Sequence, residues 1–235
     1  MHYHGRRITL SILLAVLSTG ATTWATSPDE LPMYGGLDRA ANPGLKRIDD
    51  QFIADVTKQF GSREKASDLF VEQGVRFYSA DNYSKAMRRF NQAWLLNPNS
   101  PDPYWGFAMV YHDKQQVCEA QKMIDMALDR GLHKPIALAD AGRVITLCAS
   151  HKNDLSSDDK AIEYARSESM YTKAIAEAPK NDYILSSWAT AYYWRGDYPQ
   201  AWKKVEEARS VGATLPGRFI EMLRAKMAEP RTSIP

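Results

Sequence analysis

"FVEQGVRFYSADNYSKAMRRFNQAWLLNP" runs from Phe70 to Pro98. Large residues stand at Phe70, Phe77 and Phe90, small ones at Gly74, Ala86 and Ala93, and Pro98 closes the stretch. The same order of large and small returns 34 positions on, at Tyr104, Ala108, Tyr111, Ala120, Ile124 and Ala127. A further step of 34 gives Leu138, Gly142 and Ile145. The frame then slips by 13 residues and resumes at Tyr171, Ala174 and Pro179. It continues through Leu185, Ala189, Tyr192, Ala201, Val205 and Ala208. A fixed period of this length marks a stacked-repeat architecture.

The pattern resembles the tetratricopeptide repeat, a pair of antiparallel helices. "FVEQGVRF" with "AMRRFNQAWLLNP" carries the signature almost whole; "YWGFAMVY" with "AQKMIDMA" and "LSSWATAY" with "AWKKVEEA" carry it well. The third unit departs most, with Ser167 in the alanine position. The resemblance implies an all-α, right-handed superhelical solenoid over residues 62–215. Its repeats fall at about 67–100, 101–134, 135–181 (with the 13-residue insertion) and 182–215. Packing agrees with it. Small residues at Gly74, Ala108, Gly142 and Ala189 let two helices approach, and the large ones fill the gaps to interior density. One hairpin cannot bury its apolar face alone, so neighbours must stack.

Such a stack needs covers. Pro216 suits a first helical turn, and Phe219, Ile220, Leu223 and Met227 share a face, which predicts a C-terminal capping helix over 216–229, with 230–235 as a tail. At the other end Ile48, Phe52, Val56 and Phe60 recur every fourth residue before Gly61, predicting a capping helix over 44–61. The Pro- and Gly-rich segment 26–43 reads as irregular. Residues 1–25 read as a secretory signal, with Arg6 and Arg7 ahead of an apolar stretch and small residues before Thr26. The alternative is an uncleaved anchor.

The insertion surrounds "CASHKNDLSSDDKAIEYARS". Ser156 with Asp159 forms a capping box, so a longer helix begins near there. The cluster Asn153, Asp154, Asp158 and Asp159 lacks the spacing, glycine and glutamate of a calcium loop, and a solvated helix N-terminus is the reading adopted. The two cysteines, Cys118 and Cys148, fall on helices that neighbour each other in a stacked solenoid. In an exported protein a disulfide follows; two buried thiols or a redox pair are the alternatives.

The chain holds 30 basic and 28 acidic residues. Loss of the signal leaves the balance even, with no basic run, which argues against a nucleic-acid partner. No run of twenty apolar residues follows the N-terminus, so no internal membrane span is expected. No catalytic motif is present, and no cofactor or metal is implied. His112-Asp113 resembles a dyad but has no nucleophile beside it in the sequence.

What remains is surface. In tetratricopeptide proteins the first helix of each unit lines a concave groove. The resemblance places Val71, Val75 and Tyr78 there from the first unit, and Trp105, Met109 and His112 from the second. Arg143 and Thr146 come from the third, and Tyr183, Thr190 and Tyr193 from the fourth. The family's lysine–asparagine carboxylate clamp is missing, since Val71 and Val75 occupy its places. Aromatics around an arginine suit a peptide or protein partner. The expected function is a non-catalytic, periplasmic or secreted interaction module. An immunity- or inhibitor-type protein that blocks a toxin or envelope enzyme is the alternative, and a glycan-binding module the next.

Overall fold

The computed structural model describes residues 27–230, so the signal segment 1–25 and the last five residues lie outside it. Among the described residues there are ten α-helices and no strand: α1 Pro43–Phe60, α2 Arg63–Ser79, α3 Tyr83–Leu96, α4 Asp102–Asp113, α5 Val117–Leu128, α6 Pro135–His151, α7 Ser157–Glu177, α8 Asp182–Trp194, α9 Tyr198–Ser210 and α10 Gly217–Lys226. They pack as consecutive hairpins, α2 with α3, α4 with α5, α6 with α7 and α8 with α9. The first helices of neighbouring hairpins also touch, and one core runs from Val56 to Leu223.

Facing residues are matched in size. Where the first helix carries glycine, the second carries an aromatic ring. An added Cβ on Gly74 would stand 2.4 Å from Phe90, and one on Gly142 would stand 2.7 Å from Tyr171. Where the first helix carries Ala108 or Ala189, the corresponding residue is Ile124 or Val205, all four fully buried. Gly106 belongs to the same packing, because its Cβ would also meet the Phe90 ring, at 2.5 Å. Ser167 turns its departure from alanine into a bond: its hydroxyl donates to Gly142 O (2.7 Å) and pairs with Thr146 Oγ1 (2.8 Å).

The turns repeat as well. Asp81, Gln115 and Gly196 stand at one frame position and share positive φ, at 54°, 63° and 84°. This left-handed residue reverses the chain between the two helices of a unit. The third unit has no such turn because its helix continues through Ala149. There α6 runs nine residues past Gly142, where α4 runs five past Ala108. Helix α7 begins ten residues before Ser167, where α5 begins three before Ala120. The joining loop has five residues instead of three. Those differences account for all 13 inserted residues, so the insertion is a lengthened hairpin. Ser156 caps α7, accepting from Asp159 N–H at 3.1 Å. A disulfide joins Cys118, in the first turn of α5, to Cys148, with Cα atoms 4.9 Å apart. Cys148 is the first residue beyond the ordinary length of α6, so the bond fastens the extra turn to the preceding unit.

The stretch opening on Asn97 shows how two units join. Ser100 Oγ accepts from Asp102 N–H (3.4 Å), and Pro103 lies in the first turn of α4, where a missing N–H costs little. At the far end, Gly61 stops α1 in the left-handed region (φ 90°). The α1 stripe differs from a strict fourth-residue repeat. Ile48 is exposed (58%), and Asp49 is buried instead. A step of four overshoots the helical turn by about 40°, so it rotates off the face within two steps. Asp49 lies seven residues before Val56, nearly in line with it, and Arg39 neutralises it (Nε–Oδ2 2.7 Å).

Candidate partner groove

The segment before α1 is ordered rather than irregular. Two short 3₁₀ turns, Pro28–Glu30 and Pro32–Gly36, lie on α3. Buried Asn91 organises them: it accepts from Tyr34 N–H (3.2 Å) and donates to Asp29 O (3.0 Å) and Leu31 O (2.8 Å). Tyr34 is buried edge-on to Trp94, with Arg39 over its ring. This burial raises its pKa to about 12, and the Arg39 charge only partly opposes it. Arg88 binds Asp29 and Glu30 (2.8 and 2.9 Å). The strap therefore occupies the second helix of the first unit.

The first helices keep an open side with two adjoining clefts. The smaller, about 280 Å³, is lined by Val75, Tyr78, Trp105, Met109 and Ile136. The larger, about 630 Å³, is lined by Thr190, Tyr193 and Trp194 of α8 and by Leu215, Phe219 and Met222 leading into and along α10. Arg143 and Tyr183 line both, and so form the bar between them.

Asp140 holds that bar. It is 4% exposed and accepts from three helices: Trp105 Nε1 of α4 (3.0 Å), Arg143 Nη2 of its own helix (2.8 Å) and the Tyr183 hydroxyl of α8. Burial, reinforced by the Asp140 charge, raises the Tyr183 pKa, so the phenol stays protonated and donates. Arg143 Nη1 lies 2.9 Å from His112 Nε2, and His112 Nδ1 lies 2.7 Å from Asp113 Oδ1. The Asp113 carboxylate can only accept, so Nδ1 carries the proton and donates to it; Arg143 Nη1 also lies 3.3 Å from Nδ1, so the guanidinium packs against the ring and not in line with one nitrogen. Burial and the Arg143 charge lower the His112 pKa against the pull of Asp113, which fits a neutral ring. The dyad geometry is thus real, with the Arg143 cation packed against its ring.

The residues expected in the groove separate into three sets. Val75, Tyr78, Trp105, Met109, Arg143, Tyr183, Thr190 and Tyr193 line the two clefts. His112 lines neither and supports Arg143 from behind. Val71 and Thr146 are buried at 7% and 1% and line neither cleft. Val71 joins the core of the first unit, onto which α1 packs, and Thr146 is drawn inward by Ser167. Sequence reasoning passed over Asp140, Ile136 and Trp194, the last two 47% and 43% exposed. The signal for Asp140 was present: a lone carboxylate three residues before Arg143 in an otherwise apolar helix. Ile136 follows from the frame, since it stands one period plus the insertion, 47 residues, before Tyr183.

Stacked helical hairpins with an open side on their first helices are the fold of tetratricopeptide-repeat proteins. No protein-family model matches the chain, and no curated protein matches it. Among solved structures, the thermophilic tetratricopeptide-repeat protein TTC0263 of Thermus thermophilus superposes with a TM-score of 0.55 at 15% identity, covering 68% of this chain and 80% of that one. YrrB, described as a TPR protein with an unusual peptide-binding site, gives a TM-score of 0.35 at 15% identity, covering 74% and 97% of the two chains. The first likeness shows the fold; the second is too low to carry an argument. Among the described residues no helix is long and apolar enough to cross a membrane. No three His, Cys, Asp or Glu side chains among them are placed to hold a metal ion.

Proposed function

We propose that the protein is an exported, non-catalytic binding module that holds a segment of a partner protein along its first helices. One observation carries this: two apolar-walled clefts adjoin on the open side, while the strap that might have covered them lies on α3. Pockets with mostly apolar walls and a few converging polar groups are where ligands bind. The disulfide favours an oxidising compartment, in keeping with the signal-like segment 1–25.

Site-specific photocrosslinking tests the reading. A photoreactive side chain at Ile136 or Trp194 should trap a discrete partner in native cells, and one at exposed Lys122 of α5 should not. Equal trapping at all three positions would defeat the groove assignment. N-terminal sequencing of the fractionated protein tests export, with Thr26 expected as the first residue.

A further inference from the structure

We infer, on the peptide-groove reading above, that the partner segment carries two apolar anchors and a Lys or Arg flanking the anchor that enters the smaller cleft. The anchors follow from the two clefts and the bar between them. The basic flank follows from the charges left over once the pairs within the protein are removed.

Arg143, the arginine of the bar, is spent on Asp140 (2.8 Å) and leans on a neutral histidine. Lys134 is spent on Asp102 (2.6 Å). At the larger cleft Arg218 and Asp182 offset one another. Two carboxylates of the first helices make no ion pair with a Lys or Arg among the described residues: Asp113, against the cleft-lining Tyr78, and Asp68, one repeat before Asp102. Both Asp102 and Lys134 are near enough to Asp68 to act on it. Partial burial and the neighbouring Asp102 raise its pKa, with Lys134 only partly opposing them. Asp113 lies against Tyr78, which lines the cleft, and its charge helps burial to raise the Tyr78 pKa. It accepts from the neutral His112 ring and, at 3.5 Å, from the Tyr83 hydroxyl.

A ligand carboxylate would therefore find no free cation at the bar and would meet Asp113 beside Tyr78, with Asp68 further along the row of first helices. A basic flank meets the opposite situation. Complementary rim charge acts mainly on selection and association rate and is screened by salt, while the apolar anchors supply the contact area.

Selection from a phage-displayed library of random peptides of about twelve residues on the full chain provides the probe, followed by fluorescence anisotropy on the enriched peptides. Enriched peptides should pair two large apolar residues with Lys or Arg. Exchanging their basic residues for Glu should weaken binding about tenfold at low salt. In the variant Asp68→Asn/Asp113→Asn that difference should shrink to about twofold or less, with circular dichroism confirming an unchanged fold. Enrichment of acidic or uncharged peptides, or a Lys-to-Glu penalty that survives in the double variant, overturns the inference and leaves the groove standing. Peptides that bind equally well after Ile136→Asp and Trp194→Asp overturn both.

Discussion

Phe90 packs against two glycines, and that arrangement sets the sign of a simple substitution. In an exposed helix interior, Gly→Ala stabilises by about 1 kcal/mol, because alanine loses less backbone entropy. At Gly74 the new methyl carbon would lie 2.4 Å from the Phe90 ring, and at Gly106 2.5 Å. Carbon pairs prefer about 3.5–4.0 Å, so the ring would have to retreat by more than an ångström. It has little room to do so, because the ring is 1% exposed and both glycines lie against it. Overpacking of this kind costs about 1–3 kcal/mol, enough to reverse the propensity gain.

We therefore expect Gly74→Ala and Gly106→Ala each to destabilise by about 1–3 kcal/mol in urea unfolding followed by far-ultraviolet circular dichroism. Gly217→Ala, where an added Cβ meets nothing within 4 Å, serves as the internal control and should be neutral or slightly stabilising. The decisive comparison is in Phe90→Ala, which by itself should cost about 3–5 kcal/mol. In that background the two glycine substitutions should become neutral or stabilising, since the added methyls enter the vacated space. The coupling isolates the ring contact from propensity. A glycine substitution that stabilises in the parent, or costs the same in both backgrounds, refutes the close-approach argument.

The disulfide encloses a separation of 30 residues, and Cys118→Ala/Cys148→Ala should lower stability by about 3–4 kcal/mol in the loop-entropy account. Hydrogen exchange should quicken first in the last turn of α6, and unchanged urea midpoints would refute a stabilising role. The pH prediction rests on His112, whose folded pKa is lowered by burial and by Arg143. The unfolded chain then takes up its proton first, so stability should fall as pH drops from about 6.5 toward the lowered folded value. Asp68, with a raised folded pKa, acts in the opposite sense at lower pH, so the comparison is with His112→Gln, which should flatten the slope just below pH 6.5. An identical slope in both proteins would show that the ring is not held neutral.

The repeat frame carried most of the architecture, because each large–small alternation encodes a local contact inside one hairpin. Glycine opposite Phe90 or Tyr171, and alanine opposite Ile124 or Val205, are readable as spacings in a linear sequence. The strap was not readable in this way. Its place depends on Asn91, which contacts residues about 60 positions earlier and otherwise looks like any polar residue on a helix. The groove was legible in outline, since helical periodicity selects a face. Which members stay open depends on neighbours outside the frame. Val71 is removed from the groove by the core beneath α1, and Thr146 by a serine that replaces an alanine. The stripe on α1 failed at Ile48 because a fourfold spacing drifts, and the buried ion pair with Arg39 made Asp49 an acceptable inner residue.

In a solenoid each unit touches only its neighbours, so the geometry of a long groove depends on how well successive interfaces are fixed. Apolar packing alone tolerates small slides; a satisfied buried carboxylate does not, because every donor must keep its distance and direction. Asp140 imposes that condition on the second, third and fourth units together, through Trp105, Arg143 and Tyr183. Glu168, which is 37% exposed, adds a looser tie between α7 and α8 through Trp188 Nε1 (3.2 Å) and the Tyr192 hydroxyl. Both carboxylates lie in the lengthened third unit, and the disulfide fastens that unit to the second. The third unit thus acts as the fixed member against which the walls of both clefts are set. On the proposed reading, a groove fixed in this way would lose little freedom on taking up a segment, so the apolar anchors of that segment would not first have to order the site.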